Sequence, residues 1–168
     1  MPARLYLRVV MMETAQIDDL LARLAGIPAR VAAAAAGWSE ARLRAPCGDD
    51  GWSAAEVFAH MRASDDILAA RIPMLLTRDQ APLAAYDERR WAKVAGYAQA
   101  DFQTSLQAYT LRRAELARML RQAAPADWQR VGTHEVRGPL SLLEVVTHLL
   151  EHEEEHCAQL EQLAGALA

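Results

Sequence analysis

The sequence predicts an all-α fold, a four-helix bundle formed by a single domain. Its 168 residues are rich in alanine and leucine, and aromatic residues make up only 6% of them, a composition that favours helices over sheets. Apolar residues recur at the i, i+3, i+4, i+7 spacing of one helix face, and the chain is long enough for one core. We expect residues 14–168 to form the bundle and residues 1–13 to be a loosely ordered N-terminal extension.

The first helix is predicted to begin near Thr14. Its apolar stripe consists of Ile17, Leu20, Leu21 and Leu24. Pro28 lies within the same pattern and predicts a kink or a short break, because proline removes one backbone hydrogen bond. Gly37 ends the segment, and the turn-forming residues within 39–51 connect it to the next helix.

The second helix is predicted to begin at Ser53, where Glu56, three residues later, completes the pattern of a capping box. One apolar stripe of this helix includes His60. The other members of the stripe are Val57, Met61, Ile67 and Leu68. Pro73 limits how far we expect this helix to run undisturbed.

A third long helix is predicted after an irregular segment. Residues 77–86 contain Pro82 and break the helical periodicity, and residues 87–97 predict a short helical piece. Apolar residues then recur at helical spacing over residues 101–124, and Pro125 stops the run.

The fourth helix is predicted from a second Ser-x-x-Glu pattern. Residues 126–139 contain two glycines and are expected to form a loop. Ser141 and Glu144 then repeat the pattern of a capped helix start, and no proline or glycine interrupts the helix before Gly165. Four helices with these connections are compatible with a bundle.

Charge and composition exclude several classes of partner. The net charge of −4 argues against nucleic acid, which selects basic surfaces. Charged residues interrupt every apolar stretch short of the ~20 residues that cross a bilayer, so we expect no membrane partner. Residues 1–12 lack a long apolar region and a clear small-residue cleavage site, so we expect no secretory signal there. Cys47 and Cys157 are too few for a disulfide framework. We therefore expect a cytoplasmic protein.

The histidines are the candidate functional residues. His148, His152 and His156 are spaced four residues apart on the fourth helix, so their side chains stack on one face. That face is also apolar, so we expect His152 and His156 to point inward. We expect the same of His60, which lies on the apolar stripe of the second helix. An unpaired buried polar group costs about 1–3 kcal/mol. A divalent cation shared by His60, His152 and His156 would satisfy all three imidazoles.

Spacing alone leaves alternatives to a metal site. The histidines could instead form a hydrogen-bonded core network without metal. His148 could be a fourth ligand, but it lies one turn farther along a helix whose face drifts, so we expect it to pack or to support a ligand. We expect His134 to be exposed in a loop. The acidic run at Glu151 and residues 153–155 predicts a mostly solvated face, from which one carboxylate could orient a ligand histidine. Gln159, three residues after His156, is a second candidate for that role.

No catalytic residue can be assigned from the sequence. Glu56 is one helical turn from His60, but its position predicts a capping role. Asp65 and Asp66 are expected near the mouth of the cleft, and a solvated surface position would explain them equally well. A general base is therefore not predicted.

Two stretches carry motifs around the candidate ligands. In residues 51–60, Trp52-Ser53 begins a helix that leads to His60, and residues 150–160 contain His-x-x-x-His followed by Gln159. Together they resemble the DinB-like superfamily of bacterial four-helix-bundle proteins. Similarity to members described as metal-dependent hydrolases extends to Tyr86, Asp87, Trp91, Asp127, Trp128, Gly132 and His134.

This resemblance covers residues 14–163 and implies both a fold and a site. It implies a bundle with a metal in an open cleft, often in homodimers, and places the ligands at His60, His152 and His156. His148 has no fixed counterpart in the motif.

Three histidines leave a coordination position for water or substrate, as catalytic metal sites do. We expect Zn²⁺ or Ni²⁺, acting on an unknown small molecule. The resemblance implies either a hydrolase, in which the metal activates water, or a transferase that uses a low-molecular-weight thiol. The alternative is a non-catalytic bundle that binds a metal or a small ligand.

Overall fold

The computed structural model describes residues 3–46 and 51–165, with side chains from residue 15 onward, so Cys47 lies outside it. It confirms the all-α four-helix bundle. The long helices are α1 (Ala3–Ala34), α3 (Ala54–Thr77), α5 (Phe102–Arg121) and α6 (Leu142–Gly165), and the short ones are α2 (Glu40–Arg44) and α4 (Glu88–Ala95). Within the described ranges, no helix is long and apolar enough to span a membrane.

Helix α1 is continuous through Pro28, so of the two outcomes expected there, a kink or a short break, the break is wrong. The apolar face of α1 packs against both α5 and α6, and this packing offsets the backbone hydrogen bond that proline removes. The backbone of residues 3–13, expected as a loose extension, also lies in α1. Since the side chains of those residues are outside the described part, the domain boundary at residue 14 stays a prediction.

Two capping boxes fix where the site-bearing helices begin. The Ser53 hydroxyl accepts from the Glu56 amide at 3.2 Å, and the Glu56 carboxylate accepts from the Ser53 amide at 2.9 Å. Ser141 and Glu144 make the same pair of bonds, at 2.7 and 3.2 Å, at the start of α6. Each box satisfies free amides at a helix start. The packing of α3 against α6 then decides which of their faces meet.

A small sheet joins the loops at one end of the bundle. Its strands are β1 (Ala81–Leu83), β2 (Val131–His134) and β3 (Gly138–Ser141), with β2 in the centre, parallel to β1 and antiparallel to β3. The sequence predicted loops here, because strands of three or four residues interrupted by Pro82 and Pro139 are too short to show alternation. The sheet contacts α3 and α6 and places His134, at the end of β2, against Arg71 of α3.

Gly132 allows β2 to approach its neighbours closely. A Cβ atom at Gly132 would lie 2.6 Å from the Ala81 carbonyl oxygen and 2.9 Å from Cδ2 of Leu75. We expect Gly132→Ala to lower the free energy of unfolding by about 1–3 kcal/mol, since the strand must shift. Urea denaturation would measure the loss. As a control, Gly26→Ala in α1, where a Cβ meets no atom within 4 Å, should raise stability by up to about 1 kcal/mol. Equal effects of the two substitutions would contradict the steric explanation.

Candidate metal centre

Three imidazoles converge where α3 faces α6. The candidate ligand nitrogens of His60, His152 and His156 all lie within 4.8 Å of one another. The Nε2 atoms of His60 and His152 are 3.1 Å apart, and the rings of His152 and His156 have centroids 4.5 Å apart. Two nitrogens on one tetrahedral metal at about 2.0 Å are roughly 3.3 Å apart. The donor set therefore fits a transition-metal ion with small side-chain adjustments.

Neighbouring side chains hold these rings in place. Nδ1 of His156 is 3.0 Å from Oε1 of Gln159, as the sequence predicted, and an amide oxygen there holds the proton on Nδ1 and leaves Nε2 as the donor atom. The Trp52 ring packs edge-on against His60, with centroids 5.7 Å apart. On the other side, the Ser64 hydroxyl lies 3.4 Å from Nε2 of His152.

Burial keeps two of the imidazoles neutral. It lowers the pKa of His60, with the nearby His156 as the next cause. It lowers the pKa of His152 to about 3, again with His156 and then His60 as further causes. A neutral imidazole is the form that coordinates a metal, so at neutral pH no proton has to be displaced from these two rings.

The remaining two histidines lie outside the cluster. Nε2 of His148 is 3.2 Å from a guanidinium nitrogen of Arg137, and its ring centroid is 6.5 Å from that of His152. The prediction that His134 is exposed in a loop is wrong. It ends β2 and is 7% exposed, its Nδ1 accepts from the amide of Val136 at 3.1 Å, and its Nε2 lies 3.0 Å from Arg71. The strand turns this residue inward, which periodicity in so short a segment does not reveal.

The prediction of a solvated acidic face on α6 is wrong for Glu153. This residue is fully buried, and its carboxylate accepts from the guanidinium of Arg113, which is 1% exposed. Arg113 also donates to Asp65 at 2.8 Å and to the Tyr109 hydroxyl at 3.1 Å. Burial raises the pKa of both carboxyl groups, that of Glu153 to about 8. We call Arg113, Asp65, Glu153 and Tyr109 the buried charge cluster.

Neither aspartate near the site is free to act as a general base. Asp65 is 3% exposed and belongs to the buried charge cluster. Asp66 accepts from the indole of Trp91 at 3.0 Å and from Tyr97 and Arg112. These partners explain both residues as structural, and the described residues place no carboxylate in hydrogen-bond contact with the three histidines.

Cavities on two sides give access to the histidine cluster. One of ≈ 370 Å³ is lined by Ser64, His148 and His152 on the side of the small sheet. Another of ≈ 530 Å³ is lined by Trp52, His60 and His156 on the opposite side. A small molecule can therefore reach the cluster without opening the bundle.

Some residues around the cluster were missed by the sequence reasoning. Ser64 follows His60 by four residues and Arg71 follows it by eleven, so all three lie on one face of α3. A polar stripe running through an otherwise apolar helix was the signal that could have found them.

Fold and cluster together define a class: helical bundles with histidines from two facing helices gathered at an accessible cleft. The chain belongs to the DinB superfamily, whose family model matches residues 16–160. This confirms the resemblance seen in the motifs.

Relatives and a solved structure agree with this assignment. The chain is 28% identical over 148 residues to a protein of Geobacillus thermodenitrificans named "Putative metal-dependent hydrolase", covering 88% of this chain and 83% of the relative. A protein of the same description from Geobacillus kaustophilus is 26% identical, covering 90% and 85%. The structure of YfiT from Bacillus subtilis, described as a probable metal-dependent hydrolase with an unusual four-helix bundle topology, matches with a TM-score of 0.82 and 22% identity, covering 91% and 88%. This last match shows the shared fold.

Proposed function

We propose that the protein is a metal-dependent hydrolase that binds Zn²⁺ or Ni²⁺ through His60, His152 and His156. The convergence of their ring nitrogens within 4.8 Å beside two cavities is the observation that carries the proposal. The names of the Geobacillus relatives support the same reaction class. Following the family resemblance, the proposal includes a small-molecule substrate, a cytoplasmic location and a homodimer.

The bound metal would supply a Lewis acid that lowers the pKa of a bound water molecule. The residues around the site hold the ligand histidines in place and orient the substrate. Gln159 fixes the proton on Nδ1 of His156, and Trp52 covers the ring of His60. The hydroxyl of Ser64, beside His152, is placed to donate a hydrogen bond to an oxygen of the substrate.

A second candidate is a transferase that uses a low-molecular-weight thiol. The observation that favours it is the absence, among the described residues, of a carboxylate in hydrogen-bond contact with the histidines, since Asp65 and Glu153 are bound by Arg113. A metal-bound thiolate needs no general base to become a nucleophile. A bundle that binds metal without turnover is the non-catalytic alternative.

The proposal is tested on protein purified without an affinity tag. We expect about one equivalent of zinc or nickel per chain by elemental analysis, and hydrolysis of simple esters or amides that is lost on chelation and restored by metal. A metal content below about a tenth of an equivalent per chain, with no metal uptake on titration, would contradict the metal assignment. Turnover only with added low-molecular-weight thiols would select the transferase, and metal without any turnover would select the binding protein.

A further inference from the structure

The cavity beside His152 has a cationic wall that the histidine cluster does not explain. Arg71 from α3 and Arg137 from the turn between β2 and β3 both line it, together with His134 and His148. The same cavity reaches His152, so a molecule bound in it would extend from the proposed metal position to the two arginines.

Arg71 is a buried cation without an acidic partner. It is 9% exposed and donates a hydrogen bond to the carbonyl of Ala84 at 2.6 Å. Nε2 of His134 lies 3.0 Å from its guanidinium, but this nitrogen carries the ring proton when Nδ1 accepts from the backbone, so it does not accept from Arg71. Its Nε has no hydrogen-bond partner in the described part of the chain. No carboxylate within those ranges forms an ion pair with it. A buried guanidinium left in this state carries an uncompensated charge, which is strongly unfavourable.

Arg137 adds a second positive charge to the same wall. It is exposed, its guanidinium contacts His148 at 3.2 Å, and it also forms no ion pair among the described residues. Burial lowers the pKa of Arg71, and the charge of Arg137 lowers it further. The acidic residue that lines the cavity, Glu88, supplies one negative charge against these two positive ones. The charged residues that line the cavity therefore carry a net positive charge, which favours the binding of an anion.

We infer that this cavity binds an oxyanion, a carboxylate or phosphate group, of the substrate between Arg71 and Arg137. A guanidinium presents its N–H donors in a planar fork that matches the paired oxygens of such a group. This inference rests on the proposed function, because the bound anion belongs to a substrate only if the protein is an enzyme. The anionic end of the substrate is held at the arginines while the reacting end faces the histidine cluster. Among the simple esters and amides of the activity test, those that carry a carboxylate or phosphate group should be hydrolysed faster than neutral ones.

Small anions provide the direct test. Metal-free protein labelled with ¹⁵N would be titrated with sodium acetate and, separately, with sodium phosphate at constant ionic strength, while the Nε–H resonance of Arg71 is followed by NMR. We expect a saturable shift with at least one anion. Saturation by acetate alone identifies a carboxylate subsite, and saturation by phosphate alone identifies a phosphate subsite. No saturable shift with either anion overturns the inference.

Matched variants separate a built site from general charge attraction. In the variants, anion binding is followed through the backbone amide resonances of residues that line the cavity, such as His134 and His148. Arg71→Gln and Arg137→Gln should each weaken anion binding by about tenfold or more, as the loss of one charged hydrogen bond implies. Arg118→Gln, which makes the same charge change at an exposed position of α5 outside the cavity, should change it by less than about twofold. Equal weakening in all three variants overturns the inference. Because Arg137 is exposed, its variant keeps the test valid if Arg71→Gln fails to fold.

The test is independent of the metal assignment. His60→Ala removes a proposed ligand that does not line this cavity, so anion binding should persist in that variant. Anion binding in a protein that takes up no metal would leave the subsite standing and the proposed hydrolase refuted. Metal uptake without anion binding would refute the subsite alone.

Discussion

His152→Ala is expected to lower zinc affinity by more than about 100-fold, the largest effect of a single substitution on the proposed site. His152 lies close to both other rings: its Nε2 is 3.1 Å from that of His60, and its ring centroid is 4.5 Å from that of His156. Its removal leaves two histidine donors instead of three for the same ion. Removing a partner outside the ligand set typically costs about 10–100-fold, and a ligand should cost more. Competition with a chromophoric chelator on metal-free protein measures the change.

Two further substitutions give this prediction a graded control. Gln159→Ala removes the side-chain amide whose oxygen lies beside Nδ1 of His156 and should weaken zinc binding by about 10–100-fold. His148→Ala removes a histidine one helical turn before His152, with its Nε2 against Arg137, and should leave zinc affinity within about tenfold. A loss in His148→Ala as large as that in His152→Ala would place His148 in the ligand set and contradict the assignment. Far-ultraviolet circular dichroism checks that each variant is folded.

Features set within a single helix, such as its start and the residues that share one face, could be predicted from the sequence. The i, i+4 spacing placed His152 and His156 on one face, and the capping boxes at Ser53 and Ser141 marked two helix starts that the structure confirms. Gln159 was also predicted, because its contact with His156 lies within a single turn. Because helix geometry is regular, the spacing of residues along the sequence is enough to predict which side chains are neighbours within one helix.

Apart from the meeting of His60 with His152 and His156, which their apolar helix faces and the family motifs predicted, contacts between elements could not be predicted in this way. Glu153 sits in an acidic run that resembles a solvated face, and only the approach of Arg113 from α5 shows why it is buried. His134 is turned inward by a strand too short to show alternation. Arg71 interrupts an apolar helix, and its significance depends on Arg137, which is distant in sequence and lines the same cavity. In each case the partner is set by the packing of helices and strands, which no single periodicity encodes.

Arg113→Leu is expected to lower the free energy of unfolding by about 3–5 kcal/mol, because it leaves two buried carboxylates without their shared cation. Arg113 is 1% exposed and donates to both Asp65 and Glu153, which are themselves almost fully buried. A leucine fills much of the volume but supplies no donor. Urea denaturation of wild type and variant at the same pH measures the loss.

The pH dependence of this loss has a defined sign. Burial raises the pKa of Glu153 to about 8 from its ordinary value of 4.5 and raises that of Asp65, and loss of the guanidinium raises both further. A carboxyl group whose folded pKa is raised favours the folded state below its unfolded pKa, and that contribution is lost as pH rises through the folded pKa. The loss of unfolding free energy in Arg113→Leu, relative to wild type, should therefore be larger near pH 8 than near pH 5. A deficit that does not change over this range would contradict the charge explanation.

Arg112→Leu is the matched control, and the comparison extends to the site. Arg112 is adjacent in sequence, but its side chain is 40% exposed. It lies 3.8 Å from Asp65, which keeps its hydrogen bond from Arg113, and its main partner, Asp66, keeps hydrogen bonds from Trp91 and Tyr97. We therefore expect a loss of about 1 kcal/mol or less. Asp65 directly follows Ser64 on α3, and Glu153 directly follows His152 on α6. The pairing through Arg113 therefore ties together the two helices at the level where the histidines meet. Zinc affinity should fall in Arg113→Leu and stay unchanged in Arg112→Leu, although neither arginine belongs to the proposed ligand set.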